Sequence, residues 1–360
     1  MNGLKHATVL VAGLWLVGAA PAAAQTKARA KDPGPLTIKS QGSFFVGGEK
    51  KTITQPGFGP NAPPTSGDIT VNQMYVQYQI PMKGDAHVPV VMVHGCCLSS
   101  KTWETTPDGR IGWSEYFVRK DRPVYLADQV SRARSGFDAT SFGEIKAGRL
   151  PASQLPAIIN ATHQVAWAVF RFGPTFGTPF PDEQFPVEAL DEFSKQVIPD
   201  LNALLPTPSP TWTNMAALAV RLRGAVLMGH SESGFFPEQA ALIDPAGIKG
   251  MISIEMPCPT MTPEQIATLA KIPTLVMFGD HLSDMPTGGI VNWGDSFASC
   301  NAYVDQIKKA GGDAEMMHLP ALGIKGNSHM LMQDRNSDQL ADLVIAWIDK
   351  HVEAKKGVAR

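Results

Sequence analysis

Gly224-Ala225-Val226-Leu227-Met228-Gly229-His230-Ser231-Glu232-Ser233-Gly234 joins an apolar run to a cluster of small residues. Residues 224–228 are apolar without alternation, which suits a strand covered on both faces. The residues after Gly234 are compatible with a helix. A serine between such a strand and such a helix sits on a sharp turn that presents its hydroxyl, the nucleophile elbow. The turn closes only if the residues two before and two or three after the serine are small, and Gly229, Ser233 and Gly234 meet that need. Ser233 stands where the G-x-S-x-G pattern has its last glycine, a departure that conserves size.

Working outward, residues 74–80 (MYVQYQI) alternate as a half-buried strand does, whereas residues 88–93 (VPVVMV) form a continuous β-branched run. Similar runs occur at 124–127, 250–254 and 274–278, with a helix-compatible segment at 296–310. This alternation predicts an α/β fold with a mostly parallel central sheet and flanking helices. In residues 338–352, Leu340, Leu343, Val344 and Trp347 fall at helical spacing and should cover one face of the sheet. From Asp128 to Gly224 the chain is far longer than one crossover helix requires, so an inserted cap is expected at about 138–222. Its aromatics, Trp167, Phe170, Phe172, Phe176, Phe180 and Phe185, are expected in a core more than in a pocket.

A serine hydroxyl needs a base within hydrogen-bond reach, normally histidine. His329 lies between a strand expected at 314–319 and the C-terminal helix, where the order serine, acid, histidine requires it. His230 is inside the elbow, His281 follows an earlier strand and His318 is within the expected strand. For the acid, Glu255 ends one strand, while Asp280 and Asp284 follow the next. A glutamate leaving an apolar strand tip is costly unless paired, which favours Glu255; Gly279-Asp280 also reads as a turn. The developing oxyanion needs donors, expected from the Glu232 N–H and from the loop His94-Gly95-Cys96-Cys97. Bonding Cys96 to Cys97 would distort that loop, since consecutive Cα atoms lie about 3.8 Å apart and disulfides usually span more. With Cys258 and Cys300, the four cysteines allow three connectivities.

Lys5 and His6, the apolar stretch 7–20 and the small residues before Gln25 read as a secretory signal peptide, residues 1–24. The stretch is short for a membrane anchor, and no later window reads as a membrane span. Residues 25–42, polar with Pro33 and Pro35, read as an extended arm, and the folded domain is expected over 43–360. A net charge of −2 excludes a nucleic-acid or anionic-membrane footprint, and 44% hydrophobic residues exclude a disordered chain. No motif with metal-ligand spacing and no glycine-rich phosphate loop is present, so neither cofactor nor metal is expected.

Several longer motifs go further. His94-Gly95-Cys96-Cys97-Leu98, residues 102–110 (TWETTPDGR), the elbow, Phe278-Gly279-Asp280-His281, Leu319-Pro320-Ala321-Leu322-Gly323, Asn327-Ser328-His329-Met330 and residues 332–336 (MQDRN) together resemble a small group of secreted bacterial α/β-hydrolase esterases. The similarity runs over about residues 44–348. It implies an α/β-hydrolase fold with a cap, hydrolysis of a small-molecule carboxylic ester, and a homodimer in the periplasm or outside the cell. It also implies Glu255 as the acid beside Ser231 and His329, a Cys96–Cys97 disulfide beside an oxyanion hole formed by the Cys96 and Glu232 N–H groups, and a Cys258–Cys300 disulfide. Glu232 departs from the uncharged residue usual after the nucleophile, and the segment around 284–295 is longer. The same serine chemistry would also serve a lactonase or an acyltransferase; a non-catalytic binding protein on this fold would lack a triad member, and none is missing.

Overall fold

The computed structural model describes residues 33–55, 57, 61–201, 205–284 and 291–354. The expected signal peptide and most of the lengthened segment after Asp284 lie outside these. Eight strands, β1 (Ile38–Gln55), β2 (Thr65–Pro81), β3 (Val90–Val93), β4 (Val124–Ala127), β5 (Ala225–His230), β6 (Ile248–Ile254), β7 (Thr274–Phe278) and β8 (Ala314–His318), form one sheet in the order β1-β2-β4-β3-β5-β6-β7-β8. β1 pairs antiparallel with β2 and β2 with β4, while every later neighbour is parallel. The helices in chain order are α1 (Trp113–Arg119), α2 (Thr140–Lys146), α3 (His163–Val169), α4 (Leu190–Ser194), α5 (Pro210–Arg221), α6 (Phe236–Ile243), α7 (Pro263–Leu269), α8 (Trp293–Lys309) and α9 (Ser337–Ile348). This is the α/β-hydrolase fold.

The strand residues explain the layering. Successive side chains of a strand point to opposite faces, so Val90 and Met92 of β3, Val226 and Met228 of β5, and Leu275 and Met277 of β7 enter one core with α1 and α9. Val91 and Val93, Ala225 and Leu227, and Val276 and Phe278 enter the other, with α5, α6, α7 and α8. Both faces are covered, which is why these strands carry continuous apolar runs. α9 covers one face as its spacing predicts, through Leu340, Val344 and Trp347.

Two boundaries differ from the sequence expectation. β1 begins at Ile38, so the end of the expected arm is an edge strand, paired along β2 from Ile38 opposite Pro81 to Gln55 opposite Thr65. Its side chains are mostly exposed and show no apolar alternation, so the backbone ladder is what orders it. At the other end, α5 lies inside the span expected for the cap, yet it packs on the sheet and on α6 as a crossover helix, burying Met215, Leu218 and Ala219. The chain between β4 and α5 therefore runs from Asp128 to Ser209. Of its aromatics, Trp167, Phe170, Phe172 and Phe185 are buried in the first core, while Phe176 is exposed.

Candidate active site

Ser231 follows directly on β5 with φ +58°, in the left-handed region where an L-residue is strained. The strain is maintained by close approaches around the turn. A Cβ on Gly229 would lie 1.9 Å from the Ser233 carbonyl oxygen, and one on Gly95 would lie 2.6 Å from Ser231 Cβ. These two glycines are therefore steric requirements, one for closing the turn and the other for seating the loop after β3 against the serine. The serine at the motif's fifth position also has a reason beyond size. Ser233 Oγ accepts from the His230 N–H at 3.0 Å and donates to the Val93 carbonyl at 2.9 Å, stitching the turn to β3.

Glu255, from the end of β6, meets His329, from the loop between β8 and α9. Glu255 stands just beyond β6 with φ +53°, wholly buried, and its Oε2 lies 3.2 Å from His329 Nδ1. Burial alone would raise the carboxyl's pKa, but the Arg171 charge and the His329 hydrogen bond outweigh it and hold the group down at about 2. Burial depresses the pKa of His329, against the Glu255 carboxylate. The imidazole is wholly buried, its Nε2 has no hydrogen-bond partner among the described residues, and the Phe170 and Trp293 rings lie 5.3 and 4.4 Å away. His230, the residue before Ser231, bonds through Nε2 to the His329 carbonyl at 2.9 Å, tying the elbow to the loop that carries His329. Further along that loop, Asp334 accepts from the Ser328 N–H and hydroxyl at 3.0 and 2.6 Å.

Asp280 does what its turn reading suggested. Its carboxylate accepts from the His281 N–H at 2.8 Å and the Gly326 N–H at 3.0 Å, so it closes a loop and does not face His329 Nδ1. Asp284 pairs with His281 Nδ1 at 2.8 Å.

The loop after β3 packs against Ser231, with Cys96 half-buried and Cys97 buried. Of the two expected bridges, Cys258–Cys300 is formed. Cys96 and Cys97 instead carry free thiols, a departure from the bridge that the resemblance implies. The short spacing of consecutive residues opposes a bridge unless the peptide between them distorts. Here Cys97 turns into the left-handed region at φ +60°, and Cys96 Sγ lies 3.3 Å from Asp200 Oδ2.

Sequence reasoning missed two buried arginines. Arg132 donates to Asp200 Oδ1 at 2.5 Å and to Glu232 Oε2 at 3.2 Å, so the unusual acidic residue after the serine has its charge offset by a neighbour. Arg171, in the insertion, holds Glu255 through both terminal nitrogens, at 2.9 and 2.7 Å. Nothing in local sequence separates either from a surface arginine, because each is defined by partners far along the chain.

No family model matches the chain. Its structure is similar to that of a bacterial esterase determined at atomic resolution, with a TM-score of 0.84 and 46% sequence identity over 89% of this chain and 98% of that one. In sequence it is similar to a probable secreted lipase, phiG, of a fungal species, 22% identical over 356 residues that cover 85% of this chain and 89% of the relative.

Proposed function

The chain belongs to the α/β-hydrolase esterases, and from that premise we propose that it is a secreted serine esterase that cleaves small carboxylic esters through an acyl-enzyme. One observation carries the reading: a buried carboxylate–imidazole pair, its outer nitrogen unpartnered among the described residues, on a loop held at 2.9 Å by His230, the residue before the left-handed Ser231. Ser231 Oγ attacks the ester carbonyl carbon as His329 Nε2 takes the hydroxyl proton, and Glu255 orients the imidazole and offsets its charge. The tetrahedral oxyanion is held by the Cys96 and Glu232 N–H groups. Collapse breaks the bond to the alcohol oxygen, which takes the proton from His329. Water, deprotonated by the same nitrogen, then attacks the acyl-enzyme, and the bond to Ser231 Oγ breaks as that oxygen takes the proton back from His329, releasing the carboxylic acid.

Secretion is supported by the N-terminal charge and apolar pattern and by the relative named a secreted lipase. No helix among the described residues is long and apolar enough to cross a membrane. The cap and the homodimer follow from the resemblance, the dimer being open to sedimentation. In an oxidising compartment Cys96 and Cys97, whose sulfurs lie within 4.8 Å of each other, would close the adjacent bridge. Non-reducing peptide mapping checks this: one peptide carrying both residues and lighter by two hydrogens supports it, and both thiols found free refute it.

The nucleophile is tested by labelling with an organophosphonate. The wild-type chain should form one adduct on Ser231, and Ser231→Ala should stay folded without reacting. An adduct at full stoichiometry in that variant would assign the chemistry to another residue.

A further inference from the structure

We propose that Arg171 is a positioning residue of the hydrolytic centre: carried in by the insertion, its guanidinium locks the Glu255 carboxylate opposite His329 and places a permanent positive charge beside the acid–base pair. The proposal rests on the reading of Glu255 and His329 as acid and base.

The carboxylate is held on both oxygens. Glu255 Oε1 accepts from Arg171 Nη2 at 2.7 Å and from the Gly279 N–H, while Oε2 accepts from Arg171 Nη1 at 2.9 Å and faces His329 Nδ1 at 3.2 Å. A two-pronged arginine fixes the plane of a carboxylate as a single ammonium does not. The guanidinium is itself fixed, since Nε donates to the Asp280 carbonyl at 2.8 Å and the Trp293 ring lies 5.0 Å from its centre. Arg171 is wholly buried and sits at φ +59°, a backbone cost for a non-glycine residue. The residue before it takes part too, because the Phe170 carbonyl accepts from the His329 N–H at 2.9 Å. Two successive residues of the insertion thus hold both partners of the pair.

The charge has a second consequence. Glu255 and Arg171 together are neutral, so protonating His329 leaves a net positive charge in a buried place, and Arg171 opposes it. The other groups around the imidazole do not replace this effect. His230, 4.6 Å away ring to ring, is kept neutral by burial, and the Asp280 carboxylate is taken up by the His281 and Gly326 N–H groups. Asp334 lies behind Ser328, and Glu183, from the insertion, is held largely protonated by burial. Arg171 therefore trades basicity of His329 for geometry, favouring the neutral imidazole.

The test compares Arg171→Met, Arg171→Lys, Glu255→Gln and the double variant Arg171→Met/Glu255→Gln by kcat against pH, with active sites counted by phosphonate labelling. Arg171→Met should lower kcat on the order of 10²-fold, the scale of a misplaced catalytic group, and move the acid limb to higher pH. Arg171→Lys, which keeps the charge and loses the fork, should lower kcat with the limb in place. In the Glu255→Gln background, Arg171→Met should cost nothing further, because the carboxylate it positions is gone. An unchanged kcat and limb in Arg171→Met, or its full loss reappearing in the double variant relative to Glu255→Gln, overturns the proposal. Should Arg171→Met not fold, the Lys variant and the double variant decide on the same criteria. Failure of the underlying triad looks different: Glu255→Gln itself would then be as active as wild type.

Discussion

Among single residues, the acid is the assignment most open to measurement. Glu255→Gln should lower kcat by about 10⁴, as loss of the triad acid does in serine proteases, whereas Asp280→Asn should disturb only the loop it closes. The opposite ranking would move the acid to the strand after β6. The base gives a pH signature. A neutral imidazole is needed to take the serine proton, and burial depresses the pKa of His329, so the acid limb of kcat/KM should lie below the ordinary histidine value of about 6.5. A limb above that value would contradict the geometry. The sequence could pair Glu255 with His329 and set Ser231 on a turn because each ends or follows a strand in a fixed order along the chain, and the structure brings the first two to 3.2 Å and gives Ser231 a left-handed φ. Arg171 and Arg132 were not legible, since their meaning is a partner 84 residues away for Arg171 and 100 away in Glu232 for Arg132.

Secondary-structure elements show the same division between local and distant causes. β4 and β7 fall where their apolar runs do, because burial on both faces writes the strand into its own residues. The first residues of β1, 38–42, read as the end of an arm because their order comes from the ladder with β2, and a ladder leaves no apolar signature when the side chains face solvent. α5 falls within the span expected for an insertion because length alone does not reveal which helix returns to the sheet. The Cys258–Cys300 bridge ties the segment after β6 to α8, across a separation of 42 residues. Its expected role is stability and not chemistry, since neither sulfur takes part in the hydrogen bonds of the Glu255–His329 pair. Replacing both cysteines by serine should lower unfolding free energy by on the order of 4 kcal/mol on the chain-entropy account, with kcat nearly unchanged. Denaturant melts and initial rates on the same preparation separate the two; a large loss of kcat with an unchanged melt would reverse the roles.

For the molecule as a whole, buried titrating groups couple stability to pH, and Glu238 is one whose share can be isolated. α6 buries Glu238 completely behind the elbow, where its Oε1 accepts from Ser253 at 2.7 Å and its Oε2 has no partner among the described residues. Burial raises the carboxyl from the ordinary range to about 7, against the Ser253 hydrogen bond. A carboxyl whose folded pKa lies above its unfolded one favours the folded state fully at pH values below the unfolded pKa. That advantage is lost as pH rises to about 7, because the unfolded chain sheds a proton that the fold retains. A rise of roughly two to three units amounts to on the order of 3 kcal/mol. Glu183 adds to the slope in the same direction, with burial raising it to about 9. Buried histidines act in the opposite direction, since burial lowers the pKa values of His94, His230 and His329 and so favours the fold more as pH rises; the Glu238 share is therefore read as a difference between variant and wild type. Glu238→Gln keeps the size and the bond to Ser253 while removing the titration, so the variant should gain stability relative to the wild type as pH rises toward 7 and leave the activity limb where it is. A melting curve as steep in that variant as in the wild type would place the titrating group elsewhere, whereas a shifted activity limb would mean that Glu238 communicates with His329 through the sheet.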